Sequence, residues 1–552
     1  MKRSEMLAAM GERGAVWDVI IIGGGATGLS AALEAASRGH RTLLVEADDF
    51  AQGTSSRSTK LIHGGVRYLR QGQIGMVRHS LRERERLLRN APHIVHMLDF
   101  VLPTYRPGAR EFYYAGLRFY DALAGHVLSG RTQRLSKTET CQRLPTLRDE
   151  GLRGGVLYPD GQFDDSRLAI TLAQTAAKHG AVLANYMRVV RLVQTGSRIT
   201  GIVAVDRESG TEFTLQGRTV LNATGVFAEN VLAMDSADAK TGLETARPVV
   251  APSQGSHLVL DAEFLPGSTA LMIPETDDGR VLFAIPWHGK VLIGTTDLAV
   301  KEISTDPKPL PTEIDYLLEH AGRYLRKQPE TSDIRAHFSG LRPLVALKSG
   351  GKITSQLSRE HVIHISPRGL ITVIGGKWTT CRQMGEELIS QAESVGGLKR
   401  KKSITATLRL HGAPDVPQSR SSQSRLSQTD TQKKDVIPPG LPTYNVYGSD
   451  LSLISELVQS HPELARPLHA RLSARAAEVI WAARHEMART VEDVLARRTR
   501  ALFLDAAAAI ESAPLVAELL AQELGRDVEW QQAQVKSFCA AADGWSAAGL
   551  SE

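Results

Sequence analysis

Cysteine is scarce in this chain: there are three in 552 residues, Cys141, Cys381 and Cys539, far apart in sequence. No CxxC pair and no Cys/His cluster occurs, which excludes a disulfide framework, a zinc knuckle and a dithiol reductase centre. A reducing, cytoplasmic setting fits that usage. Long apolar runs are missing as well. No stretch of about 18 uncharged apolar residues exists to form a spanning helix. The opening MKRSEMLAAMGERGAVW lacks the apolar core of a secretory signal, so only attachment at a membrane surface stays open. No internal repeat is visible. Widespread positive charge is absent too. The formal net charge is +6, but residues 391–440 alone supply five of those charges. A local basic stretch of that kind is no footprint for nucleic acid.

What is present is ample core material. The chain is 42% hydrophobic and 23% charged, which excludes wholesale disorder. Its length allows two or three domains. Asp18-Val-Ile-Ile-Ile22 is an unbroken apolar run and predicts a parallel strand buried on both faces. Gly23-Gly-Gly-Ala-Thr-Gly28 follows, then a helical stretch from Leu29 to Arg38 and a stop at Gly39. A second apolar run, Thr42–Val45, ends at Glu46, 18 residues after Gly28. The glycines Gly23, Gly25 and Gly28 form G-x-G-x-x-G between strand and helix. That arrangement admits a pyrophosphate to the helix N-terminus, and an acid at the end of the second strand suits ribose hydroxyls. The same acid repels a 2′-phosphate, which disfavours NADP. The motif stands too near the N-terminus to follow a substrate domain, which suits FAD. No second G-x-G-x-x-G is present to dock NADH.

Further along, the periodicity predicts a helix over 166–179 and strands over 181–193, 199–205 and 219–225. Several short strands follow between 247 and 297, an antiparallel sheet distinct from the first. Strands return at 362–374, and a helix opens near Thr379 behind Gly375-Gly376. Residues 110–123 read as an amphipathic helix, with Arg110, Glu111, Arg118 and Asp121 in one arc and five aromatics over much of the rest. We read 15–400 as interleaved nucleotide and substrate domains, with a substrate-capping sheet over about 80–160 and 245–345. Residues 401–445 read as a Ser-, Gln- and Pro-rich linker. An all-α domain follows over 446–545, with Ser449-Asp450 as its cap.

After Glu46 comes a loop dense in hydroxyls and glycine, TSSRSTKLIHGGVRYL, from Thr54 to Leu69. It is joined by LNATG, QGSH, IPWHGKVLIGTTD, FSGLRPL, LSREH, IGGKWTTCR and, near the C-terminus, RHEMARTVEDVLARRTRALFLD. On these segments, in order over about 17–390 and again over 446–540, the chain resembles the FAD-dependent glycerol-3-phosphate dehydrogenase family. Glycine and sarcosine oxidases share the first motif and lack the others. The resemblance implies an α/β fold: a Rossmann-type FAD-binding domain, an antiparallel-sheet substrate domain and the all-α C-terminal domain.

It also implies the chemistry. sn-Glycerol 3-phosphate would lose a hydride from C2 to flavin N5 and become dihydroxyacetone phosphate, and a quinone would take the electrons. With the glycine motif, the resemblance puts FAD against Gly23, Gly25, Ala26, Thr27, Gly28 and Glu46. The hydroxyl-rich loop contributes Thr54, Ser55, Ser56, Lys60, Leu61, His63, Gly64 and Gly65, and later segments contribute Ala223, Thr224, Gly225, Gly376, Lys377 and Thr379. Arg342, Arg359 and Lys377 match cations that meet the substrate, Tyr68 and Thr296 match pocket positions, and His257 matches a histidine near the substrate hydroxyl, suited to a base. His257, Arg342 and Lys377 are therefore the expected catalytic set. No metal is expected. A homodimer and peripheral attachment to the inner face of a membrane are implied as well. Two alternatives remain at this level: an oxidase that hands electrons to oxygen, and a flavin-dependent amine or amino-acid oxidase. Cys381 stands where the family often has tyrosine.

Overall fold

The computed structural model describes residues 1–12, 14–70, 72–124, 131–237, 248–349, 352–353, 360–414 and 446–550. Arg359 and most of the expected linker, 415–445, lie outside them.

The first sheet grows from the apolar runs. Val16–Ile22 pairs in parallel with Thr42–Val45 on one side and with Glu212–Asn222 on the other. Val182–Ala184 and Leu370–Ile374 extend it in parallel. The hairpin Met187–Thr195 and Arg198–Asp206 joins antiparallel through Glu212–Asn222, and Val362–Ile365 forms an antiparallel edge, so the sheet is mixed. Alternation explains the continuous apolar run. Val19 and Ile21 meet Leu29, Leu33, Leu168, Leu172 and Leu388 on the helices Ala26–Ser37, Asp165–Lys178 and Cys381–Val395. Ile20 and Ile22 meet Ile202, Ala204 and Leu215 on the opposite face. Each such side chain stabilises the fold by about 1.5–3 kcal/mol on leaving water.

Among the described residues the second sheet has eleven strands and is largely antiparallel. Its spine is the ladder between Pro248–Asp261 and Ala336–Ser349, with His257 opposite Phe338. Lys290–Gly294 pairs on the other side of Pro248–Asp261, and Thr269–Ile273 runs parallel to Val95–Thr104. Gly154–Phe163 pairs with Val95–Thr104 and with the short strand Leu61–Ile62. The hydroxyl-rich loop therefore runs from the first sheet onto the edge of the second.

The C-terminal segment is helical, with Leu451–Ser460, Ala476–His485, Ala506–Leu524 and Val528–Asp543 as its main helices. It does not keep a core to itself. Val479, Ile480, Val494 and Phe503 share one apolar cluster with Phe100, Tyr158, Trp287 and Phe338 of the second sheet. The expected cap is corrected. A 3-10 turn, Gly448–Asp450, leads straight into Leu451–Ser460, so Asp450 holds helical backbone angles and its side chain caps nothing. Its carboxylate instead shares a 2.8 Å hydrogen bond with His411.

Candidate active site

A cavity of about 790 Å³ begins at the glycine turn and continues beneath the second sheet. At its first end, Gly23 has φ +109°, and a Cβ there would lie 2.6 Å from the Ala223 carbonyl. A Cβ on Gly28 would meet the Gly23 oxygen at 1.9 Å. Gly28 thus serves helix–strand packing and does not itself line the cavity, whereas Gly23, Gly25, Ala26 and Thr27 do. The Ala26 N–H, at the start of its helix, donates to Ser55 Oγ at 2.9 Å. Glu46 accepts from the Gly24 N–H at 2.6 Å and from the Asp48 N–H at 2.9 Å. Burial pushes its carboxyl up to about 7, against the pull of those two amides. Helix-end amides for a pyrophosphate beside a strand-end carboxylate for a ribose make a cradle that fits FAD. Glu46→Ala is expected to weaken FAD binding roughly 10- to 100-fold, the worth of a charge-assisted bond of about 1.5–3 kcal/mol. Flavin content of the purified variant measures this, and wild-type content would refute it.

The rest of the lining gathers residues from distant segments. Thr54, Leu61, His63, Gly65, Tyr68, Ala223, Thr224, Gly225, His257, Arg342, Gly376, Lys377 and Thr379 all line the same cavity. The Arg342 guanidinium donates to the Gln254 carbonyl at 3.3 Å, Thr295 Oγ1 at 3.1 Å, the Thr296 carbonyl at 3.0 Å and Asp297 at 3.2 Å. Lys377 Nζ lies 4.1 Å from the Tyr68 ring centre. His257 stacks on Phe338, with centroids 4.8 Å apart, and its Nε2 is 2.9 Å from Thr59 Oγ1. Burial, then the charges of Lys60 and Arg342, hold the imidazolium pKa well below the usual range.

Other expected residues stand behind the wall. Lys60 is fully buried and donates to Asp165 at 2.6 Å and to the Ser56 carbonyl at 2.7 Å. Its ammonium lies within 5.0–5.3 Å of the Trp287, Phe338 and Phe503 ring centres, and Lys60 does not line the cavity. Ser56 is buried beside it. Gly64 sends its N–H to the Tyr120 hydroxyl at 2.7 Å. Thr296 is turned inward, donating to Glu313 and accepting from the Ser256 N–H. Arg57, Ser58 and Thr59 line the cavity without having been singled out, as do Phe100, Tyr158, Met272 and Phe283. Cys381 is buried at a helix start, and burial pushes its thiol up to about 11, which leaves it inert.

The C-terminal arginines form a clamp. Arg498 donates to both oxygens of the buried Asp49 at 2.7 and 2.9 Å, and Arg497 adds a third bond at 2.6 Å. Arg500 reaches the Ser56 carbonyl at 2.9 Å and Asp165 at 3.1 Å. Arg167 pairs with Glu486 through two bonds of 2.8 and 2.6 Å.

A glycine turn feeding a helix, a strand-end carboxylate and a cavity carried on beneath a second sheet define a flavin-type oxidoreductase. Residues 18–382 match the family described as FAD dependent oxidoreductase, and residues 403–534 match the C-terminal domain of alpha-glycerophosphate oxidase. The mitochondrial glycerol-3-phosphate dehydrogenase of Homo sapiens is 38% identical over 537 residues, covering 94% of this chain and 72% of the human one. That of Arabidopsis thaliana is 38% identical over 544 residues, covering 94% of this chain and 85% of its own. The crystal structure of glycerol-3-phosphate dehydrogenase from Bacillus halodurans, complexed with FAD, superposes with a TM-score of 0.74 at 26% identity, over 98% of this chain and 97% of that one. The chain belongs to the FAD-dependent glycerol-3-phosphate dehydrogenase family, and FAD is its cofactor.

Proposed function

We propose that this chain oxidises sn-glycerol 3-phosphate to dihydroxyacetone phosphate and passes the electrons to a quinone. One observation carries the reading: Arg342, Lys377 and His257 converge on the cavity that starts at the glycine turn, in a chain 38% identical to glycerol-3-phosphate dehydrogenases across 94% of its length. When bound, FAD supplies the two-electron oxidant for C2. Arg342, whose two terminal nitrogens are held by four hydrogen bonds, fixes a positive charge at the cavity wall for the phosphate. Lys377 adds a second cation, and Arg359 is our third. An amino-acid substrate would need one cation for its carboxylate, so the set favours a phosphate. His257 is the proton acceptor for the C2 hydroxyl. The aromatic helix Ala109–Ala124 exposes Phe112 and Phe119 while burying Leu117 and Tyr120, which supports peripheral docking on a membrane that holds quinone. A homodimer on the cytoplasmic membrane face completes the reading. The match of residues 403–534 to a domain described for an oxidase supports oxygen as the alternative acceptor.

The test is anaerobic. Adding sn-glycerol 3-phosphate to the purified holoprotein is expected to bleach the oxidised-flavin band near roughly 450 nm, and quinone is expected to restore it faster than air. Bound flavin that does not bleach would overturn the substrate. Faster recovery in air would make the protein an oxidase.

A further inference from the structure

We propose that Thr59 is a further catalytic residue of this reaction, its hydroxyl relaying the proton of the C2 hydroxyl to His257. The inference rests on the substrate reading above. An imidazole nitrogen has a single in-plane position, filled by a lone pair or by a proton. Nδ1 of His257 is buried and has no hydrogen-bond partner among the described residues. The one position on Nε2 is aimed at Thr59 Oγ1, 2.9 Å away. The ring is also gripped. It stacks on Phe338 at an interplanar angle of 16°, and a Cβ on Gly294 would lie 2.2 Å from its Cδ2. Neither nitrogen keeps a second direction for a molecule in the cavity. Thr59 lines the same cavity as the ring and holds the Nε2 position.

The residues on either side fix Thr59. Ser58 gives its N–H and its hydroxyl to Asp165 at 3.0 and 2.7 Å, and Lys60 gives its ammonium to the same oxygen at 2.6 Å. Lys60 holds φ +62°, a left-handed turn that carries its own side chain into the core. The relay is therefore set before substrate enters. In the step, the C2 hydroxyl proton passes to Thr59 Oγ1 as the threonine's own hydroxyl proton passes to Nε2. The C2 hydrogen leaves with its electron pair to the oxidised cofactor, and C2–O becomes a carbonyl. Threonine ends unchanged and the imidazole ends as imidazolium. The resting ring must carry its proton on Nδ1.

Two variants and two readouts test this. Thr59→Val keeps the shape and loses the hydroxyl, while Thr59→Ser keeps the hydroxyl. The first readout is the ¹⁵N shift of the His257 ring in the oxidised holoprotein, assigned against His257→Gln. Nδ1 is expected protonated and Nε2 bare, with the Nε2 signal moving in Thr59→Val and not in Thr59→Ser. The second is anaerobic flavin reduction by saturating sn-glycerol 3-phosphate. Thr59→Val is expected to slow it about 100-fold with flavin content unchanged, and Thr59→Ser to stay within about threefold of wild type. A protonated Nε2 in the resting protein, or wild-type reduction by Thr59→Val, overturns the relay. Should Thr59→Val lose FAD, Thr59→Ala reconstituted with FAD is held to the same outcomes. The nitrogen shifts need no substrate, so a wild-type protein that fails to bleach condemns the substrate reading separately.

Discussion

Replacing His257 with glutamine is expected to leave FAD bound and to slow its reduction by glycerol 3-phosphate roughly 10²–10⁴-fold, the range for losing a positioned base. Glutamine is close in size and can still accept the bond from Thr59, but it takes up no proton at neutral pH. The wild-type profile carries a companion expectation. Burial, followed by the charges of Lys60 and Arg342, disfavours the imidazolium. A base whose pKa is lowered stays unprotonated further into acid, so flavin reduction should hold its rate as pH falls through about 6.5, the ordinary histidine value. Stopped-flow reduction of wild type across pH 5–8, with the variant beside it, reads both. An inflection at the ordinary value would mean that the ring is not shielded as described. A variant as fast as wild type would mean that His257 is not the acceptor.

Arg498→Ala is expected to destabilise the holoprotein by up to about 3–5 kcal/mol, because it leaves the buried Asp49 with the single guanidinium bond from Arg497. Asp49 is fully buried, and Arg498 supplies two of the three guanidinium bonds it receives. Urea unfolding midpoints followed by flavin release and by far-ultraviolet dichroism measure the loss. Arg498→Lys, which keeps charge without the fork, should fall between wild type and alanine. The pH dependence has a definite sign. Asp49 is a depressed acid, held at about 2 by Arg498 and Arg497 against the opposing effect of burial. Its contribution is in full force above about pH 4, the unfolded value, and fades as pH falls through about 2. The gap between wild type and Arg498→Ala should narrow over that window. A change under about 1 kcal/mol at neutral pH would show that the clamp carries little of the stability.

The nucleotide half of the fold was legible because its signals are local. A strand covered on both faces leaves a continuous apolar run, and a pyrophosphate turn needs glycine where Gly23 crowds the Ala223 carbonyl. The pairing of Arg342, Lys377 and His257 around one cavity was legible only through resemblance, since they come from three separate strands and turns. Facing was the hidden variable in the hydroxyl-rich loop. Lys60 and Thr59 are neighbours of similar polarity, yet one meets the cavity and the other meets Asp165, more than 100 positions away. Thr296 turned inward for the same kind of reason, since its partner Glu313 sits on a helix that composition does not tie to it. The C-terminal arginines left a readable trace: charged residues inside an apolar helical stretch. Their partner Asp49 lies some 450 positions earlier and was not readable.

The reach of Arg500 has a consequence for biogenesis. Its bond to the Ser56 carbonyl spans 444 positions, so one support of the cavity's loop is synthesised long after the loop itself. Until then the nascent glycine turn can meet FAD, but Asp165 beneath the loop has Lys60 alone and lacks its second cation, Arg500. Firm retention of the cofactor is then expected to wait on the helical segment that carries Arg500. Chains stalled before Arg500 would release their flavin to a competitor, and complete ones would keep it.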